Sequence, residues 1–248
     1  MAPNPAVANL APSGTLRAAI NFDNTILASK DPATGEPGGI SVELAREVAR
    51  RLSVAVAFVP YYAAGKVVEG LDADAWDICF LAIDPKRAEK VAFTHPYVVI
   101  EGAYLVSAGS PLRANADVDR EDIRIAVSAG SAYDLFLTRN LKHASLIRAA
   151  TAKDVVPMFV AEKLEVATGV RPMLEADIRA TSGLRLLPGR FMAINQAMGT
   201  PRGREAGHRW LTAFVEEMKA SGFVAESLAR NRAVGATVAK PGSAGADL

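Results

Sequence analysis

Short β-branched and aliphatic runs recur along this chain, each followed by a stretch whose apolar residues fall at helical spacing. Residues 15–20 form the first extended run, and in 41–52 Val42, Leu44, Ala45, Val48, Ala49 and Leu52 recur three and four apart, with Ser41 as the expected N-cap. Residues 54–59 repeat the strand pattern, and Val67, Val68 and Leu71 suggest a short helix. Residues 77–82 make a third strand, apolar enough to be buried on at least one face. Parallel strands need a crossover between them, and a helix is the compact way to make one. Alternation at this density therefore predicts an α/β protein with mostly parallel sheets.

The same rhythm continues. Residues 97–106 read as a long extended segment, and 123–127 as a strand running into Ser128-Ala129-Gly130-Ser131 and a helix through Thr138. Further strands are expected at 145–148, 165–168, 184–187 and 191–198, and a helix at 154–162. A last helix over 204–220 would bury Trp210, Leu211, Phe214, Val215 and Met218, with Gly222 capping its end. Residues 1–13 and 233–248, rich in Ala, Pro and Gly, are expected to be a disordered N-terminus and a flexible tail.

Several function classes lose support. The 28 basic and 27 acidic side chains leave a net charge of +1 and form no basic block, so no nucleic-acid partner is expected. No apolar run reaches the length of a membrane span, so no membrane insertion is expected. The single Cys79 has no internal disulfide partner. His95, His143 and His208 show no metal-ligand spacing, and no phosphate loop or G-x-S-x-G is present, so neither metal nor cofactor is expected. Residues 1–13 lack the basic and apolar regions of a secretory signal. The expected location is cytoplasmic if this start is native, and periplasmic if the chain is a mature form.

Three segments carry a resemblance. Gly38-Gly39-Ile40-Ser41-Val42-Glu43-Leu44 opens the first long helix. Trp76-Asp77-Ile78 leads to Asp84-Pro85-Lys86-Arg87-Ala88-Glu89-Lys90-Val91-Ala92-Phe93-Thr94-His95-Pro96-Tyr97, and Ile125-Ala126-Val127-Ser128-Ala129-Gly130-Ser131 ends a strand. In order and spacing they resemble the bacterial solute-binding proteins of family 3, which serve polar amino-acid transporters. The resemblance implies a two-lobed, periplasmic-binding-protein-like (type II) α/β fold, each lobe a central β-sheet flanked by helices. Lobe one would be residues 14–101 plus 198–232 and lobe two 102–197, with hinge crossings in 97–106 and 193–199. It also implies a monomer that closes on a small carboxylate in the inter-lobe cleft, performs no chemistry on it, and works with an ABC permease.

The same resemblance assigns candidate binding residues. Arg87 would grip the ligand carboxylate, because paired N–H donors match two carboxylate oxygens and a charged hydrogen bond contributes about 1.5–3 kcal/mol. Gly130 and Ser131 would open a helix and aim backbone N–H groups at the same anion. Tyr133 and Asp134 would face the cleft or the solvent. Asn21, Phe22 and Asn24 follow the first strand as a ligand-contacting turn, or as a plain polar turn with one core Phe. Tyr61 and Tyr62 follow the second strand.

Phe80 and Ala82 stand where amino-acid binders carry hydroxyls, and Gly169 and Val170 where they carry the Asp that pairs with the ligand's ammonium. A buried ammonium without a partner costs several kcal/mol. The expected ligand is therefore a 2-oxo acid, dicarboxylate or aromatic acid, unless Asp23 or Glu101 replaces the partner. Two other classes share the fold: a cytoplasmic ligand sensor or buffer, and a cyclohexadienyl-dehydratase-like enzyme with Glu101, Glu162 or Glu165 as its acid.

Overall fold

A computed structural model describes residues 5–243. The chain forms two compact units, one built from the residues up to Val99 and from Asn195 onward, the other from Ile100–Ile194. It leaves the first unit within the strand Val91–Ser107 and returns within Met192–Pro201.

In the first unit the strands Ala55–Tyr61, Thr15–Asn21 and Ile78–Ala82 lie side by side and parallel. Met192–Pro201 continues the sheet, antiparallel to Ile78–Ala82. All five residues of Ile78–Ala82 are buried, as a strand covered on both faces requires. One face packs Ala19, Cys79, Leu81 and Val91 against Val67 and Trp76, whose indole N–H donates to the Val67 carbonyl at 2.8 Å. Burial in this cluster pushes the Cys79 thiol pKa up. The helix Ile40–Leu52 also packs on the sheet. Its N-cap is Gly39 rather than Ser41. At φ 97° a Cβ there would lie 2.5 Å from the Leu27 carbonyl oxygen, so only glycine fits, and Ser41 is buried one residue inside the helix.

The fully buried Asp77 fastens three segments at the start of the Ile78–Ala82 strand. It accepts the backbone N–H of Arg17 at 3.0 Å, the Arg17 Nε at 2.9 Å and the Arg204 Nη1 at 2.7 Å. Burial works to raise its pKa, but these hydrogen bonds together hold the carboxyl below its ordinary value.

The second unit repeats the plan. Ser145–Ala149, Arg124–Ser128 and Val166–Val170 run parallel, with the later part of Val91–Ser107 antiparallel to Val166–Val170. Leu184–Leu186 pairs with that same long strand. Leu105, Ala126, Val155, Phe159, Leu164 and Leu174 form the core. The helix Arg171–Ala180 has no counterpart in the sequence reading, because Leu174 is its one buried side chain and gives too faint a periodicity.

Both chain ends differ from expectation. Pro5–Leu10 is a helix that buries Ala6 and Leu10 against the helix Glu205–Ala220. Gly207 makes the approach possible, since a Cβ there would sit 2.8 Å from a Leu10 methyl. Asn9 adds two fixed points, accepting the Gly207 N–H at 3.1 Å through its side chain and the Arg204 Nη1 at 2.9 Å through its carbonyl. At the other end Ala236–Val238 adds a strand beside Val91–Ser107, and the buried Ala239 donates its N–H to the Tyr97 carbonyl at 3.1 Å. Residues 1–4 and 244–248, also expected to be loose, lie outside the described residues. Gly222, at φ 84°, ends the Glu205–Ala220 helix and starts a further one, Phe223–Arg230. Trp210 is only half-buried and stacks on Phe214 at 5.4 Å. No helix among the described residues is long and apolar enough to cross a membrane.

Leu10→Ala should lower stability by about 2–5 kcal/mol, the usual cost of truncating a buried leucine, read as a lower urea midpoint. Asp77 has a depressed folded pKa, so its contribution is complete above its unfolded value near 3.9 and fades as pH falls through the folded one. The stability gap between the wild type and Asp77→Asn should therefore be widest near neutrality and narrow below about pH 4, as measured by urea titrations across pH.

Candidate ligand-binding site

The three parallel strands of the first unit end on the same edge, where open α/β sheets place their ligands. Phe22, Asp23 and Asn24 follow one strand, Tyr62 the second, and Ile83, Asp84 and Arg87 the third. The Phe22 N–H donates to the Tyr61 carbonyl at 2.8 Å, carrying the pairing one step past the strands. Phe22 and Tyr62 thus stand together, ring centres 6.1 Å apart. Asn21 accepts the Asp23 N–H at 3.2 Å, which shapes the turn. The Asn24 carbonyl then accepts the Leu27 and Ala28 N–H groups, while its side-chain Oδ1 is buried with no hydrogen-bond partner among the described residues. Strand alternation sends the two tyrosines to opposite sides. Tyr62 is 57% exposed, whereas Tyr61 joins the Trp76 cluster with its hydroxyl against Gly70. Tyr61, expected at the ligand, therefore packs into the unit.

Arg87 sits in the short helix Pro85–Ala88, which Asp84 caps by accepting the Lys86 N–H at 2.9 Å and Pro85 starts. Only 3% of Arg87 is exposed, and its Nη1 donates to the Ala82 carbonyl at 3.0 Å. Burial lowers its pKa to about 10 against the opposing pull of the Asp84 charge, so the guanidinium stays charged near neutrality. Ala82 thus contributes its backbone. Phe80, also buried, meets the Tyr97 ring edge-on at 6.2 Å.

The second unit corrects an expectation. The N–H groups of Gly130 and Ser131 are engaged within the unit. Gly130 donates to the Asp134 carboxylate at 2.8 Å, and Ser131 to the Ser128 carbonyl at 3.1 Å. Ser131 caps the helix Ala132–Asn140 by accepting the Asp134 N–H at 3.1 Å, while the Asp134 carboxylate reaches back to the Gly130 N–H. Arg148 neutralises Asp134 at 3.0 Å. Tyr133 and Asp134 are both buried, so neither faces solvent.

Two other carboxylates of this unit, Glu101 and Glu165, also meet guanidinium groups. Glu101 lies 2.8 Å from Arg171 Nε and 3.7 Å from Arg190 Nη1. The hydrogen bond from Arg124 holds the Glu165 carboxyl below its usual range, and Glu162 is exposed at a helix end. A Cβ on Gly169 would press on Leu174 at 3.0 Å, and Val170 precedes the Arg171–Ala180 helix without a side-chain cap.

A groove of about 420 Å³ in the first unit is lined in part by Ile83, Phe93, His95, Arg202 and His208. Three of its polar side chains are engaged. His208 Nε2 meets the Phe93 carbonyl at 2.8 Å, His95 Nδ1 meets Glu216 at 2.8 Å, and Arg202 donates to the Ala88 carbonyl at 2.6 Å. None of the residues expected at the ligand lines it. Among the described residues no three His, Cys, Asp or Glu side chains gather as a metal-binding group.

The family model of the bacterial extracellular solute-binding proteins, family 3, matches residues 19–231. The chain belongs to that family. Solved structures of the same type II periplasmic-binding-protein fold agree. The solute receptor for L-cysteine of Neisseria gonorrhoeae is 20% identical, with a TM-score of 0.77, over 92% of this chain and 93% of that one. The amino acid ABC transporter substrate-binding protein AbpA from Streptococcus pneumoniae, bound to L-arginine, is 15% identical, with a TM-score of 0.76, over 90% and 97%. The ancestral amino acid-binding protein AncCDT-1, a precursor of cyclohexadienyl dehydratase, is 20% identical, with a TM-score of 0.75, over 90% and 98%. No curated protein sequence matches significantly. At these identities the structures establish the fold.

One residue at the edge escaped the sequence reading. Lys30 returns on the hairpin formed by Ser29–Lys30 and Pro37–Gly38 and meets Phe22 and Tyr62. The tight turn between the strands, where Asp31 Oδ1 accepts the Ala33 and Thr34 N–H groups, was the available signal. In the second unit Asp134→Ala should cost about 1–3 kcal/mol by removing the carboxylate that accepts the Gly130 N–H and pairs with Arg148, measurable as a lower urea midpoint.

Proposed function

We propose that this member of solute-binding family 3 binds a small carboxylate at the carboxyl edge of its first unit, without transforming it, as the substrate-binding component of an ABC permease. The observation that carries the reading is Arg87, a guanidinium 97% removed from water, which follows one of three parallel strands that end on a common edge; the buried Asn24 Oδ1 follows the neighbouring strand. A desolvated cation gains most from an anion that also accepts its hydrogen bonds. Asn24 is suited to a hydroxyl or amide on the same ligand.

The ligand lacks an α-ammonium, or carries its nitrogen elsewhere. Gly169 and Val170 supply no acid where the amino-acid binders have one, and Glu101 already has two guanidinium neighbours. The related structures named for L-cysteine and L-arginine support small-solute binding in general. A dehydratase reading finds less support. A general acid must hold its proton near neutral pH, whereas Arg124 favours the ionised form of Glu165.

Calorimetry with amino acids and their 2-oxo counterparts tests the reading. The oxo acids should bind more tightly, and micromolar binding of the amino acids alone would overturn the ligand class. Arg87→Met should weaken carboxylate binding by about tenfold to a hundredfold, the worth of a charged hydrogen bond. Its melting temperature should hold, because methionine removes the buried charge and fills most of the space. An unchanged dissociation constant in that variant would remove Arg87 from the site.

A further inference from the structure

The Lys30 side chain occupies a defined place at the same edge. Its Nζ lies 4.9 Å from the centre of the Phe22 ring and 5.3 Å from that of Tyr62, and donates to the Tyr62 hydroxyl at 2.8 Å. Two ring faces and a phenol oxygen therefore hold the ammonium in position while leaving it open to solvent. Tyr62 is itself largely exposed, so this cluster is not part of the core.

We infer that Lys30 is a specificity-determining residue that selects ligands whose far end, remote from the carboxylate at Arg87, is a second acidic group. The inference rests on the carboxylate reading above and extends it from a monoacid to a diacid. The Phe22–Tyr62 pair covers the chain between the two ends, and Lys30 takes the distal carboxylate. It repels a ligand that brings its own ammonium to the same rings.

The test uses three probes of similar length on the full chain: adipate, hexanoate and 6-aminohexanoate, each titrated calorimetrically. Adipate should bind about threefold to tenfold more tightly than hexanoate, and 6-aminohexanoate the most weakly, as expected for one partly exposed ion pair. In Lys30→Met the adipate-to-hexanoate ratio should fall to about one, a change that loss of fold alone would not produce. Preference for 6-aminohexanoate in the wild type, or an unchanged ratio in Lys30→Met, would overturn the role of Lys30 and leave the Arg87 reading standing. Binding of none of the three would overturn both.

Discussion

Parallel register in the first unit is the constraint on which the candidate site depends. Thr15–Asn21 pairs residue for residue with Ala55–Tyr61, from Thr15 opposite Ala55 to Asn21 opposite Tyr61, and pairs with Ile78–Ala82 on its other side. Parallel pairing makes all three chains leave the sheet on one edge. Phe22 and Tyr62 meet there despite their separation in sequence, Arg87 follows the third strand at the same edge, and strand alternation decides which tyrosine stays outside. A slip of one residue would exchange Tyr61 and Tyr62 between the Trp76 cluster and the edge. On the other side of Thr15–Asn21, Asp77 fixes the register with Ile78–Ala82 at the opposite end, through its bonds to Arg17.

What could be read from the sequence was local, and what could not was a matter of distant partners. Asp84-Pro85 announced the short helix that presents Arg87, since a capping side chain and a preset φ act within four residues. Most strands were visible for the same reason. Pro5–Leu10 was not, because its composition is that of a loose end and its order comes from Gly207, about two hundred residues later. Ser41 has the chemistry of an N-cap, yet Gly39 holds the position because the Leu27 carbonyl leaves no room for a side chain. Gly130-Ser131 resembled an anion cradle until Asp134, four residues on, proved to be the acceptor.

Acidic side chains are used in two ways that only the structure separates. Asp77, Asp134 and Glu101 each meet guanidinium groups that brace a turn or a strand end. These pairings occupy carboxylate oxygens that a ligand ammonium would need. At the carboxyl edge of the first unit Asp84 accepts the Lys86 N–H and its charge acts on Arg87, while Arg87 and Lys30 come from separate segments.

The burial of Arg87 links stability to binding. Taking a guanidinium out of water disfavours its charged form, which is why its pKa falls to about 10. The Ala82 carbonyl offsets part of that cost with one hydrogen bond. An anion with two oxygens would offset far more, since it brings both charge and acceptors into a region of low dielectric. A carboxylate bound there would favour the charged guanidinium, as the Asp84 charge already does. By linkage, any ligand held by the folded chain alone stabilises it by an amount set by its affinity and concentration.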